Sequence, residues 1–237
     1  MKPFNQIVAI DGPAASGKTT AASLLAKRLG LLNINTGAMY RALSLKALRA
    51  SVSPEDRAGI GRLLKITEIA FDRRPDGSTS VTLDGEDVSE EIKGQEVAEA
   101  ASVISRLLAV RKHMVAQQRK IAGRGGAVAE GRDTATVVFP DARHKFFIDA
   151  SLHTRAERRR KELLAQGISV PLDQVREDLR KRDLADQTRE LSPLKRDPDA
   201  IVIDSTNLTP EQVVDQILEH LAPFMERKAS SPRSDEG

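Results

Sequence analysis

The stretch Gly12-Pro13-Ala14-Ala15-Ser16-Gly17-Lys18-Thr19-Thr20 decides how this chain is read. Before it runs Gln6-Ile7-Val8-Ala9-Ile10, a short β-branched segment. After it, Lys18 to Leu29 places Ala22, Leu25, Ala26 and Leu29 at helical spacing. Strand, glycine loop, helix is the context in which G-x-x-x-x-G-K-[ST] has a physical meaning. Gly12 and Gly17 let the backbone curl with its N–H groups turned inward, and the helix N-terminus adds positive potential at the same point. Lys18 can bring a point charge to the β and γ phosphates of a nucleotide, and the Thr19 hydroxyl can hold Mg²⁺. Gly12 to Thr20 are therefore the candidate ATP-binding residues, with Lys18 catalytic and Thr19 the metal ligand.

Further apolar runs at Leu31–Ile34, Ala127–Ala129, Lys145–Ile148 and Ala200–Ile203 each lead into a polar or glycine segment and then a helical pattern. Strands apolar on both faces and alternating with helices require a parallel sheet covered on both sides. The expectation is an α/β P-loop fold with five parallel strands. From Ile66 to Val88 the pattern instead alternates apolar and polar around Asp76-Gly77 and Asp84-Gly85, which predicts a small inserted antiparallel meander. Thr154 to Arg196 reads as two charged helices joined around Gly167–Pro171, a mobile Arg-rich flap. Thr209-Pro210-Glu211-Gln212 suits a helix start, with Thr209 as N-cap, Pro210 at the first helical position and Gln212 reciprocating the cap. The expected units are a core (1–35, 105–153 and 197–227), an acceptor-binding unit (36–104), a lid (154–196) and a flexible tail (228–237).

Composition narrows the class. Of 237 residues, 40 % are hydrophobic, which suits a globular chain, and no apolar run reaches the roughly 20 residues that span a bilayer. No secretory pattern opens the sequence and there is no cysteine, so the expectation is a cytoplasmic protein without membrane partners. The four histidines, His113, His144, His153 and His220, lack metal-ligand spacing and read as helix or surface residues. Aromatics make up 3 % and the net charge is +3, both poor for gripping single-stranded nucleic acid. A nucleic-acid-stimulated ATPase is the rival from another class, disfavoured on these grounds. The absence of an N-K-x-D segment argues against a GTPase, and Val128-Ala129-Glu130 continues into an Arg-Asp pair where a motor ATPase usually carries adjacent acids. A small-molecule kinase remains, with other acceptors such as UMP or shikimate as the near rivals. Tyr40, the single tyrosine, and Arg41 follow the second strand, at the carboxyl end of the sheet where open α/β folds bind ligands.

Gly12 to Thr20, Thr36-Gly37-Ala38-Met39-Tyr40-Arg41, Gly131-Arg132-Asp133 running on to Thr136-Val137-Val138-Phe139-Pro140-Asp141-Ala142, and Arg182-Asp183 with Asp186 and Arg189 together closely resemble the bacterial cytidylate kinase family, collinearly from about Ile7 to Leu221. The meander, ending in Gly85-Glu86-Asp87-Val88-Ser89, resembles that family's enlarged acceptor domain. The resemblance implies transfer of the γ-phosphoryl of ATP, with Mg²⁺, to CMP or dCMP; a monomer is the default expectation. It implies that Thr36, Tyr40 and Arg41 line the monophosphate pocket, that Arg132 binds phosphate, and that Ser102, Arg111 and Asp133 read the cytosine edge. It implies that Asp186 contacts a ribose hydroxyl, that Arg182 and Arg189 close over the phosphates, and that Arg158 lies near the donor. Position 130 is Glu where the family often has Asp, which puts its part in ordering metal-bound water in question. A carboxylate such as Asp133 accepts from the N4 amine of cytosine, whereas uracil offers a carbonyl there. Arginine suits bidentate phosphate recognition, as Arg41 and Arg132 would require.

Overall fold

The computed structural model describes residues 6–226; the expected tail at 228–237 lies outside them. The chain opens with β1 (Ile7–Asp11), α1 (Lys18–Leu29), β2 (Leu32–Asn35) and α2 (Thr36–Arg49). Next come α3 (Arg57–Lys65), the strands β3 (Ile69–Arg73), β4 (Thr79–Leu83) and β5 (Glu86–Asp87), then α4 (Gln95–Ile104) and α5 (Leu108–Ala122). β6 (Ala127–Gly131), β7 (His144–Asp149), α6 (Leu152–Ala165), α7 (Leu172–Thr188), β8 (Ile201–Asp204) and α8 (Pro210–Glu226) complete the order. All five strands expected for the core sheet form, in the order β2-β6-β1-β7-β8, every pair parallel.

Alternation along the strands explains why both faces are covered. Val8, Ile10, Val128, Phe146 and Ile148 meet Ala22, Leu25 and Ala26 of α1 and Val213, Val214 and Ile217 of α8. Ala127, Ala129 and Ile34 turn the other way, onto α2, α5 and the inserted segment, in one continuous apolar cluster that reaches Phe71, Val81 and Leu83 of the meander. Burial on both faces of a parallel sheet is what its continuous apolar strands demand. The meander closes at Asp84-Gly85, where φ of 52° and 87° at the two loop residues matches the two-residue turn that suits strand twist.

The α8 start forms as expected: Thr209 N–H donates to Gln212 Oε1 at 2.8 Å and Gln212 N–H to Thr209 Oγ1 at 3.3 Å. One reading is corrected. His144 is neither a helix nor a surface residue; it opens β7, 1 % exposed, with its ring against Phe224 at 4.8 Å and its Nε2 2.6 Å from Gln6 Oε1. A polar residue beginning an apolar strand hides its burial from periodicity, and the aromatic partner comes from a distant helix. Among the described residues no helix is long and apolar enough to cross a membrane.

Candidate active site

Register brings the site together. At the carboxyl edge of the sheet Asn35 lies beside Glu130, and Asp11 beside Gly131, so the loops leaving β2, β6 and β1 share one crevice. The loop after β1 needs glycine twice. A Cβ on Gly12 would run into the Ile148 carbonyl oxygen, and Gly17 sits at φ 85° as the N-cap of α1. Lys18 is 5 % exposed and its Nζ donates to the Pro13 carbonyl at 2.9 Å, lying across its own loop. Burial first, then the charges of Arg132 and Arg182 against those of Glu130 and Asp186, bring its pKa down to about 7. The Thr19 hydroxyl donates to the buried Glu130 carboxylate at 3.0 Å.

Helices α6 and α7 brace this loop from outside. Ala14, flanked by Ala15, packs its methyl on Ala156, Val175 and Leu179, so the two alanines between the glycines seat these helices. Arg155 Nη1 donates to the Ala14 carbonyl at 3.3 Å and pairs with Asp183 at 2.6 Å. Arg158 Nη1 donates to the Ser16 carbonyl at 3.4 Å and to Ser205 Oγ at 3.1 Å, while Nη2 donates to the Ser205 carbonyl at 2.6 Å. Its guanidinium is thus spent on the loop backbone and on the turn after β8.

After β2, Asn35 caps α2 by accepting the Ala38 N–H at 2.9 Å, and Thr36 Oγ1 donates to the Glu130 carbonyl at 2.9 Å. That fixes the first turns of α2 and with them Tyr40 and Arg41. Asp133 follows β6 and is 6 % exposed; Arg111 of α5 hydrogen-bonds it, and Arg189 lies 3.7 Å away. Arg111 also donates to the Ser105 carbonyl and Ser192 Oγ, both at 3.2 Å, and stacks over Tyr40 at 5.7 Å. Burial pushes the Tyr40 hydroxyl up to about 12, so it stays a neutral donor. Arg182, Asp186 and Arg189 recur every three or four residues and so share one face at the end of α7. Asp186 accepts from Arg132 Nε at 2.8 Å.

Five cations converge where this face meets the phosphate loop. The Arg41 pKa is lowered by burial and then, against Glu130, by Arg159 and Arg132. Arg182 is open to solvent on one side, yet the surrounding protein and the charges of Arg132, Arg41 and Arg159, against Asp186, bring it down to about 10. Mutually repelling cations in a crevice are what a polyanion would relieve.

The structure therefore gathers Lys18, Thr19, Arg41, Arg132, Asp133, Asp186, Arg182 and Arg189, with Thr36, Tyr40 and Arg111 behind them. Ser102 is not joined to this network: it is exposed on the last turn of α4, and its backbone carbonyl accepts from Ser105 Oγ, whose own carbonyl holds Arg111. Sequence reasoning missed Asp11, Arg155, Arg159, Ser192 and Ser205. Asp11 left a signal, an acidic residue ending an otherwise apolar strand. It is 1 % exposed, accepts the N–H groups of Thr134 and Ala135 at 2.8 Å each, and is pushed up to about 6 by burial.

The chain matches the family model described as cytidylate kinase over residues 8–222. A cytidylate kinase of Pelotomaculum thermopropionicum is 47 % identical over 211 residues, 89 % of this chain and 93 % of the relative. One from Citrifermentans bemidjiense is 48 % identical over 210 residues, covering 88 % and 89 %, and one from Caldanaerobacter subterraneus is 47 % identical over 212 residues, covering 90 % and 92 %. A phosphate loop, a crowd of arginines and a buried carboxylate held by two of them, carried on this sheet order and on nearly the whole length of these relatives, have one account: the chain belongs to the cytidylate kinase family and is a nucleoside monophosphate kinase.

Proposed function

We propose that the protein transfers the γ-phosphoryl group of ATP to CMP or dCMP, giving ADP and CDP or dCDP. The observation that supports this most is the buried Asp133 carboxylate, held by Arg111 and faced by Arg189 one loop away from the phosphate site. Such a carboxylate accepts from an exocyclic amine and opposes a carbonyl, which favours cytosine over uracil. Arg111 completes the base pocket, Ser102 would join it from α4 only on meeting the base, and Asp186 takes a ribose hydroxyl. Thr36 and Tyr40 line the phosphate pocket, where Arg41 and Arg132 bind the acceptor phosphate as a dianion. Residues 36–104 form the acceptor unit and 154–196 the lid, on a core of 1–35, 105–153 and 197–227.

In the reaction an oxygen of the acceptor phosphate forms a bond to the γ-phosphorus as the bond from that phosphorus to the β,γ-bridging oxygen breaks, and ADP leaves. The attacking oxygen is already anionic, so no general base is required. Lys18, Arg182 and Arg189 neutralise charge on the transferring group, and Arg158 holds the loop that orients it. The Thr19 hydroxyl and the Glu130 carboxylate, hydrogen-bonded to each other, are hard oxygen donors that fit Mg²⁺. When bound, the ion screens the β and γ phosphates. The Arg-rich lid excludes water as a competing acceptor.

The test is ADP release with Mg-ATP and CMP, dCMP, UMP, AMP or no acceptor, repeated with Asp133→Ala. Fast turnover is expected only with CMP and dCMP, and the variant should lose about ten- to a hundred-fold of its CMP over UMP preference. An unchanged ratio places base reading elsewhere.

A further inference from the structure

A serine in a left-handed conformation stands where the lid returns to the core. Ser192 has φ 50°, which residues with a Cβ rarely adopt, and the following Pro193 restricts it further. A conformation of that kind persists only where its surroundings over-determine it. Here the surroundings are two guanidinium groups. Arg111 Nε, from α5, donates to Ser192 Oγ at 3.2 Å, and Arg189 Nε, from the end of α7, donates to the Ser192 carbonyl at 2.5 Å.

These are the two arginines that face Asp133. With each Nε committed to Ser192, each guanidinium presents its Nη edge to the carboxylate. The Nη2 of Arg189 is buried without a hydrogen-bond partner, 3.7 Å from Asp133 Oδ1. Ser192 thus joins Arg189 of the lid to Arg111 of the core, and both to the group that would read the base.

We propose that Ser192 is a positioning residue for acceptor recognition: its hydroxyl and carbonyl orient Arg111 and Arg189 around Asp133, and so set acceptor affinity and the choice between an amino- and an oxo-pyrimidine. The proposal rests on the cytidylate reading of Asp133 given above. The hydroxyl acts through Arg111, which faces Asp133 and not the transferring group, whereas the backbone carbonyl holds Arg189; loss of the hydroxyl alone therefore falls on the acceptor KM and leaves kcat.

Two variants test it. Ser192→Ala removes the hydroxyl and keeps the Cβ; Ser192→Gly removes both and takes the left-handed conformation without strain. Both retain the carbonyl. Steady-state kinetics with CMP and with UMP, alongside melting curves, should show the CMP KM raised about three- to ten-fold in each variant. The kcat and the ATP KM should stay within about two-fold, and the ratio of kcat/KM for CMP over UMP should fall. Unmoved CMP KM with a lowered melting temperature would reduce Ser192 to a turn residue and overturn the proposal. So would a fall in kcat at constant CMP KM, or a wild-type CMP KM in the glycine variant beside a raised one in the alanine variant, since strain and not the hydroxyl would then be the cause. If the alanine variant does not fold, the glycine variant decides alone. The wild-type acceptor panel is read first: a preference for some other acceptor overturns the proposed function, whereas a cytidylate-specific wild type with unmoved variants overturns the role of Ser192 alone.

Discussion

The Asp11 carboxylate, at the end of the strand that feeds the phosphate loop, accepts the backbone N–H of Thr134, the residue after Asp133, at 2.8 Å. It accepts the Ala135 N–H as well, so one buried side chain pins the wide turn at Thr134–Val138 to the strand that feeds the phosphate loop. The phosphate loop and the turn that follows Asp133 are thereby fixed to each other through the backbone.

Asp11→Asn should change the pH dependence of stability in a definite direction. Burial raises the folded pKa from 3.8 to about 6, so between these values the folded protein holds more protons than the unfolded one. Stability from this group therefore falls as pH rises through the window. Denaturant unfolding at pH 4 and pH 7 should show the wild type losing about 2 kcal/mol more than Asp11→Asn over that interval. Parallel pH profiles for the two proteins would sink the assignment.

Lys18→Ala should lower kcat about 10²- to 10³-fold, the usual size for one preorganised cationic contact to developing charge. The wild type should also carry a pH signature. Its Lys18 titrates near 7 in the free protein, so the charge that meets the donor is lost as pH rises through that value. The kcat/KM for ATP should fall above about pH 7, while kcat holds to higher pH because bound phosphates favour the protonated amine. A kcat/KM profile flat from about pH 6 to 9 would contradict this.

Arg111→Ala should be the most disruptive of the acceptor-side changes. The Arg111–Asp133 pair is buried on both sides, with side chains 6 % and 8 % exposed. Removing the cation leaves a carboxylate in low dielectric without its main partner, at a cost of about 3–5 kcal/mol. Calorimetry should show Tm lower by about 10 °C, with the CMP KM raised. Arg111→Lys should restore part of the Tm and little of the KM, because an ammonium keeps the charge and loses the fork that reaches Ser105, Ser192 and Asp133 together. A Tm unmoved by Arg111→Ala would show the pair to be dispensable.

Much of this protein was determined by local pattern. β1, the loop and α1 follow from β-branched residues, two glycines and a helical stripe within two dozen positions, because backbone curvature and periodicity are short-range properties. The meander's turn at Asp84-Gly85 and the Thr209–Gln212 cap were legible for the same reason. What the pattern could not order was the arginines of the lid, since charged residues on an exposed helix look alike in sequence. Folding separated them: Arg158 and Arg155 brace the loop, Arg182 and Arg159 join the cation cluster, and Arg189 reaches Asp133. The role of Asp11, which did leave a signal, and Ser192 itself escaped the pattern for a related reason. Their partners lie 123 and 81 positions away, and a hydrogen bond over that separation exists only after the parallel strands have set their register and the lid has returned to the sheet. Local chemistry chose the elements; the long-range pairing of β1, β2 and β6 decided which side chains meet.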